Sequence, residues 1–285
     1  MSLENTLKAR VNKALSRFFL ILVCTCFILP LYWMIISALK TPEELALFPP
    51  TLIAKKPQWV NFKEAVNFIP FFRYFLNTGF IAVMTCFGSL LSNFVIAYGF
   101  SRVKWPGRDV VFYTVLASIF IFLSFPVNTL TMVPLFKFFA GIGWVNSYLP
   151  LILPAFFGNP FFIFLIRQFL NQINFSISEA AHIDGASEFT IMRKVILPLA
   201  KPCLGVTAIM SLINAWNDFM GPLIYLHEES KYTLSIGLTQ YSSAHDVEWN
   251  LLMAAASLVV IPEIFIFLFF QKYFVEGISM GSVKS

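Results

Sequence analysis

Two stretches of the chain hold side chains whose types and spacing could do chemistry. The first runs from residue 179 to 198, Glu-Ala-Ala-His-Ile-Asp-Gly-Ala-Ser-Glu-Phe-Thr-Ile-Met-Arg-Lys-Val-Ile-Leu-Pro. It lies in a polar island at 171–202 between apolar segments. Its chemistry is recognition rather than catalysis. Ser176 and Glu179 fit an S-x-x-E capping box, which satisfies the free amides of a first helical turn. Ala180, Ala181 and Ile183 give that helix a small apolar face. Asp184-Gly185 breaks it, because glycine tolerates positive φ. Asp184 is expected to cap a second helix over 186–195. Pro198 is expected to end it, since proline lacks the N–H a helix interior needs. Two short helices around a glycine make a docking element on the water side of a membrane.

The second stretch is Asn214-Ala215-Trp216-Asn217-Asp218-Phe219-Met220-Gly221-Pro222-Leu223. A carboxylate at the centre of a membrane helix costs about 2.5–3.5 kcal/mol. Asp218 is therefore expected to face protein, water or the outer boundary. Trp216, Asn217 and Asp218 are the types that bind sugars: an aromatic face for C–H surfaces, planar polar groups for paired hydroxyls. They cannot all share one helical face, so interhelical hydrogen bonding is the competing role. Asn93 and Asn128 are further candidates for a solute pathway, each with the same structural alternative. Glu263 beside Pro262 is a pathway residue or a buried pair partner. His182, His227 and His245 show no metal-ligand spacing, and no metal or catalytic residue is assigned. There is no G-x-x-x-x-G-K-[ST], H-E-x-x-H or G-x-S-x-G. Any ATP hydrolysis belongs to another chain.

The elements that must position these groups are membrane helices. The chain of 285 residues is 58% hydrophobic and only 12% charged, with 34 Phe. Average soluble domains carry about 25% charged residues. A bilayer core needs about twenty apolar residues per helix, and six segments qualify: 18–39, 74–99, 110–136, 148–169, 203–226 and 251–270. The first follows Lys8, Arg10, Lys13 and Arg17 but is too long for a signal peptide and has no clear cleavage site. Placing the N-terminus inside puts thirteen of the twenty Lys and Arg on the cytoplasmic side and seven outside. The positive-inside rule thus favours cytoplasmic termini. The net charge of +5 is topogenic and implies no nucleic acid. Cys24, Cys26, Cys86 and Cys203 fall in apolar segments and read as small apolar side chains.

The organisation expected is a cytoplasmic tail at 1–17, a first helix at 18–39 and an extracytoplasmic loop at 40–73. A five-helix core at 74–270 contains the cytoplasmic loop 171–202, and a tail occupies 271–285. Pro126, Pro134, Pro154, Pro160, Pro222 and Pro262 fall within membrane segments, as suits helices bending around a cavity.

Glu179, Ala180, Ala181, Gly185, Leu197 and Pro198 match, in type and spacing, the cytoplasmic EAA loop of permeases from binding-protein-dependent ABC importers. Val195 stands where Ile is usual. Trp216-Asn217-Asp218-Phe219-x-x-Pro222-Leu223 resembles the fifth helix of the carbohydrate-type, maltose-like branch. The tail from Gln271 to Lys284 is similar too, although members often end in Val-Lys-Gly and this chain ends in Ser285.

The resemblance implies an all-α integral membrane protein with the six-helix type I importer permease fold. It implies a longer second permease, two ATPase subunits and an extracytoplasmic solute-binding protein in the inner membrane of a prokaryote. The chain itself would hold no cofactor, and ATP and Mg would sit in the ATPase. Glu179, Ala180, Ala181, Asp184, Gly185, Leu197 and Pro198 would couple to that ATPase. The transported solute would be a sugar, such as a di- or oligosaccharide or glycoside. Two other readings are an ion-coupled carrier acting alone through Asp218 and Glu263, and an importer permease for a non-sugar solute.

Overall fold

The computed structural model describes the backbone at residues 2–124, 127–242 and 247–282, and side chains at 12–119, 132–242 and 247–272. Apart from one isolated β-bridge between Ser242 and Val247, the secondary structure of these residues is helical. In chain order the helices are α1 (Ser2–Ala38), α2 (Pro42–Leu45), α3 (Val60–Phe68), α4 (Phe71–Ser101), α5 (Arg108–Ser124), α6 (Val127–Gly141) and α7 (Leu149–Ile152). After a 3-10 turn at Leu153–Phe157 come α8 (Pro160–Gln172), α9 (Phe175–Ile183) and α10 (Glu188–Thr190). A π-helical stretch, Ile191–Ile196, leads into α11 (Leu197–Leu199), α12 (Lys201–Trp216), α13 (Met220–Tyr225), α14 (Leu234–Thr239) and α15 (Trp249–Ser282).

Four stretches of described residues are long and apolar enough to cross a membrane: Asn12–Ala38, Phe71–Ser101, Leu149–Gln172 and Trp249–Lys272. Glu188–Leu199 and Lys201–Trp216 are a fifth only if taken together, across a 78° bend. At about 1.5 Å per residue, the 27 residues of Asn12–Ala38 exceed a hydrocarbon core of about 30 Å. That stretch buries none of its most apolar window in the chain's own interior, which leaves its surface for lipid or another subunit.

The structure departs from continuous sequence segments in two places. The expected span 110–136 is described as α5 up to Ser124 and α6 from Val127, and Pro126 lies outside the described residues. The expected span 148–169 is broken after the 3-10 turn at Gly158, whose φ is +93°, and helix resumes at Pro160. The expected span 203–226 stops at Trp216 and resumes at Met220. Hydropathy averaged over twenty residues hides these breaks, but Pro154, Gly158, Pro160 and Pro222 mark them.

The chain divides into two compact units, 1–71 with 238–261, and 72–237 with 262–285. In the first, residues after α1 are held by buried polar groups. Asn61 Nδ2 donates to the carbonyls of Ala38 (2.8 Å) and Lys40 (2.9 Å), which closes the C-terminal end of α1. Buried Lys40 bonds Thr51 O and lies over the Trp33 ring. Glu44 accepts from Thr51 Oγ1 (3.0 Å) and Lys55 N (3.0 Å). Tyr241 donates to Ala65 O (2.6 Å) and stacks on Phe68. In the second unit, Phe94, Ala97 and Tyr98 of α4 pack with Ile166 and Leu170 of α8 and with Ile191 and Ile196. That core supports both candidate sites.

Candidate functional site

The loop 171–202 is built around α9. Its N-cap is Asn174, whose Oδ1 accepts from Ser176 N at 3.0 Å. The helix begins two residues earlier than the S-x-x-E pattern suggests, so Ser176 lies inside the first turn and the Ser176–Glu179 box does not form. Glu179 and Ala180 face outward, Ala181 packs against the core and Ser178 is buried. Ile183, 87% exposed, and Phe189, 64% exposed, add an apolar surface beside Glu179.

Gly185 does what its type suggests. Its φ is +80°, Gly185 N donates to His182 O (2.9 Å), and Ala186 N donates to Ala181 O (3.0 Å). These two bonds form a Schellman motif. Asp184 is the C-cap of α9 rather than the N-cap of the next helix. That task falls to Ser187, whose Oγ accepts from Thr190 N (3.4 Å), because Gly185 and Ala186 occupy the turn. Pro198 does not end the helical run. The wider π turns at 191–196 precede it, and they accommodate a residue that cannot donate to a carbonyl four back. The 78° bend comes after Leu199. Leu197 packs on the core.

Two side chains missed by the motif reading tie this loop down. Tyr98 donates to Glu188 Oε2 at 2.6 Å, and Glu188 Oε1 lies 3.1 Å from His182 Nε2. Arg102 is 8% exposed. Its Nη2 donates to Leu170 O (2.6 Å) and Ile173 O (2.7 Å), and its guanidinium lies over the Phe175 ring at 4.4 Å. Burial lowers the Arg102 pKa from the ordinary arginine value. As a sequence feature Arg102 counts only as one inward charge; its place four residues after Tyr98, at the end of an apolar run, is the signal.

The second site is a cavity of about 500 Å³ between the two broken spans. Its polar lining includes Thr85, Ser89, Asn159, Ser211, Asn214 and Asp218. Asn159 caps α8, with Oδ1 accepting from Phe161 N (2.9 Å). Asp218, one residue before the N-cap Phe219 of α13, accepts from Gly221 N in the first turn (3.1 Å). A Cβ at position 221 would lie 2.4 Å from Asp218 Oδ2, so a larger residue there would make the carboxylate shift. Thr85 Oγ1 is buried and has no hydrogen-bond partner among the described residues.

Of the five pathway candidates, Asp218 lines this cavity. Trp216 is buried, edge-on to Phe75. Asn217 donates to Ile213 O (3.1 Å). Asn93 is completely buried behind the cavity wall. It donates to Ser89 O (2.6 Å) and accepts from Asn159 N (2.6 Å), which holds the break before α8. The Asn128 side chain lies outside the described residues. Asn159 and Asn214, polar residues inside apolar segments but outside those five, also line the cavity.

A third polar cluster follows α13. Glu228 lies 2.8 Å from Lys231 Nζ and accepts from Ser230 and Asn146. The Lys231 contact, then Ser230 and Asn146, hold its carboxyl down at about 2.

Known proteins place this geometry. The chain is 31% identical over 275 residues to the arabinooligosaccharides transport system permease protein AraQ of Bacillus subtilis, covering 95% of each chain. It is 30% identical to the diacetylchitobiose uptake system permease protein NgcG of Streptomyces coelicolor, covering 95% of this chain and 89% of that one. It is also 30% identical to the trehalose/maltose transport system permease protein MalG of Thermococcus litoralis, covering 93% and 94%. A crystal structure of a bacterial ABC transporter involved in import of the acidic polysaccharide alginate contains a chain of the same fold. The match has a TM-score of 0.79 and 22% identity, over 93% of this chain and 97% of that one. Residues 105–280 match the binding-protein-dependent transport system inner membrane components, and the chain belongs to that family.

Proposed function

We propose that this chain is a permease subunit of an ABC importer that takes up a sugar, a di- or oligosaccharide or a related glycoside. Three relatives whose names specify arabinooligosaccharides, diacetylchitobiose and trehalose/maltose carry the reading, each aligned over more than nine-tenths of the chain. The chain crosses the membrane six times with both termini inside and pairs with a longer permease. Two ATPase subunits hold the ATP and Mg, and a solute-binding protein delivers sugar from outside.

The ATPases grip α9 through Glu179, Ala180 and the exposed Ile183, with Gly185 setting the following turn. ATP-bound and ATP-free ATPases must hold the loop differently, since equal affinity for two states shifts neither. The sugar passes the cavity between the broken spans, where Asp218, Asn214 and Asn159 offer acceptors and donors for hydroxyls.

The test is uptake of a panel of labelled sugars by cells with and without the chain. The reading expects one sugar class to lose uptake on deletion and regain it with the wild-type chain. Unchanged uptake of every sugar, with loss of an amino acid or oxyanion instead, would replace the substrate class.

A further inference from the structure

The end of α4 grips the docking loop more firmly than packing alone requires. Arg102 Nη2 binds the carbonyls of Leu170 and Ile173. Both are at the C-terminal end of α8, where the dipole is negative and carbonyls run short of intrahelical partners, although Leu170 O also accepts from Ile173 N (3.2 Å). Nη1 lies 3.5 Å from Ser178 Oγ on the inner face of α9, and the guanidinium plane covers Phe175 in the first turn of α9. No carboxylate forms an ion pair with Arg102 among the described residues, so carbonyls and an aromatic face balance the charge. Neighbouring bonds repeat the attachment: Ser101 Oγ to Asn171 Oδ1 at 2.7 Å, and Arg167 Nε to Phe100 O at 3.1 Å. α4 runs without proline from this point to Ser89 and Thr85, which line the cavity. That is about 20 Å of helix at 1.5 Å per residue.

We propose that Arg102 is a positioning residue for transport: it clamps the first turn of α9 to α4, so that displacement of the docking helix carries the cavity wall with it. The clamp rests on the reading of α9 as the ATPase contact. It needs a planar fork that binds two carbonyls while stacking on a ring, which lysine cannot supply. Lysine does keep the inward charge that sets topology. The substitution Arg102→Lys therefore separates the clamp from membrane insertion.

The experiment uses the assembled transporter in proteoliposomes with its binding protein. R102K is expected to retain the ATPase and to hydrolyse ATP within about twofold of wild type, while sugar moved per ATP falls about tenfold or more. Transport per ATP within about twofold of wild type in R102K would overturn the clamp. A second measurement decides the matter if R102K fails to assemble. Spin labels at the exposed positions Lys104 and Ser176 report the separation across the clamp in the otherwise unaltered transporter. The separation is expected to stay within about 2 Å between ATP-free and ATP-bound states; a change of about 5 Å, one helical turn, overturns the rigid joint. Absence of the ATPase from the wild-type assembly would remove the docking reading and the clamp with it, whereas normal R102K coupling with ATPase retained removes the clamp alone.

Discussion

The loop 171–202 and the cavity between the broken spans are both polar places in an apolar chain, and they use their polar groups in opposite ways. In the loop most inward polar groups are matched, the buried Arg102 Nε being an exception among the described residues. Asn174 and Ser187 cap helices, Gly185 completes a Schellman motif, Glu188 bridges Tyr98 and His182, and Arg102 closes the end of α8. What it presents outward includes the carboxylates of Glu179 and Asp184, the bases Arg193 and Lys194, and the apolar side chains of Ile183 and Phe189. That is a rigid handle, suited to transmitting a displacement. In the cavity, Asn159 and Asp218 each hold a helix start, yet Thr85 Oγ1 has no partner among the described residues and Asn214 is exposed. Spare hydrogen-bonding capacity suits a passage that must bind weakly and release.

The comparison breaks most visibly at Gly185. Valine there is forced into a positive φ at a cost of about 1–3 kcal/mol, although space is open around the position. Gly185→Val should insert normally and lose about tenfold or more of its ATPase capture, about 1.4 kcal/mol. Co-purification of the ATPase is the readout, and normal capture with normal uptake would deny the handle its shape requirement.

Asn93 comes next. Asn93→Ala leaves Asn159 N without its side-chain partner, a loss of about 1–3 kcal/mol for a buried group. Thermal unfolding of the purified complex should fall while ATPase capture at a permissive temperature holds. An unchanged melting temperature would mean that the break before α8 does not depend on Asn93.

Asp218 sharpens the other side of the contrast. Asp218→Asn keeps an acceptor for Gly221 N and removes the charge; Asp218→Ala removes both. If the carboxylate meets solute, the sugar concentration for half-maximal uptake rises about tenfold in Asp218→Ala, with ATPase capture unaltered. Equal uptake curves for Asp218→Ala and wild type, with lower thermal stability, would assign Asp218 to capping alone.

How much of this was legible beforehand depends on whether a feature is local. Gly185 could be read because its role is a backbone conformation few other residues adopt. The position of the cap could not: Ser176–Glu179 fits the stronger pattern, but Asn174 is as good a cap residue and stands one place before the start that packing selects. The interruptions at 158–159 and 217–219 were marked by glycine and proline, then averaged away by segment hydropathy. Arg102 was invisible as a clamp because its partners are carbonyls at 170 and 173, which no side-chain pattern records. Asn93 was found as a polar residue, with pathway and packing roles both open, since periodicity does not say which side of a wall it faces.

The smallest expected effect lies after α13. The Glu228 pKa is depressed below its ordinary 4.5 to about 2, first through Lys231. A depressed carboxyl contributes fully above 4.5 and loses its contribution as pH falls through about 2. Lys231→Met should move the Glu228 midpoint up toward the ordinary value in an infrared titration of the labelled carboxylate. An unmoved midpoint would remove Lys231 as the cause.

The most direct test of the whole reading is purification of the chain from its native membrane, followed by uptake in proteoliposomes. Recovery of a P-loop ATPase and a second permease, with sugar entering only when ATP and binding protein are present, is the expected result. Recovery of the chain alone, moving solute without ATP, would contradict it and make Asp218 and Glu263 the centre of an ion-coupled carrier.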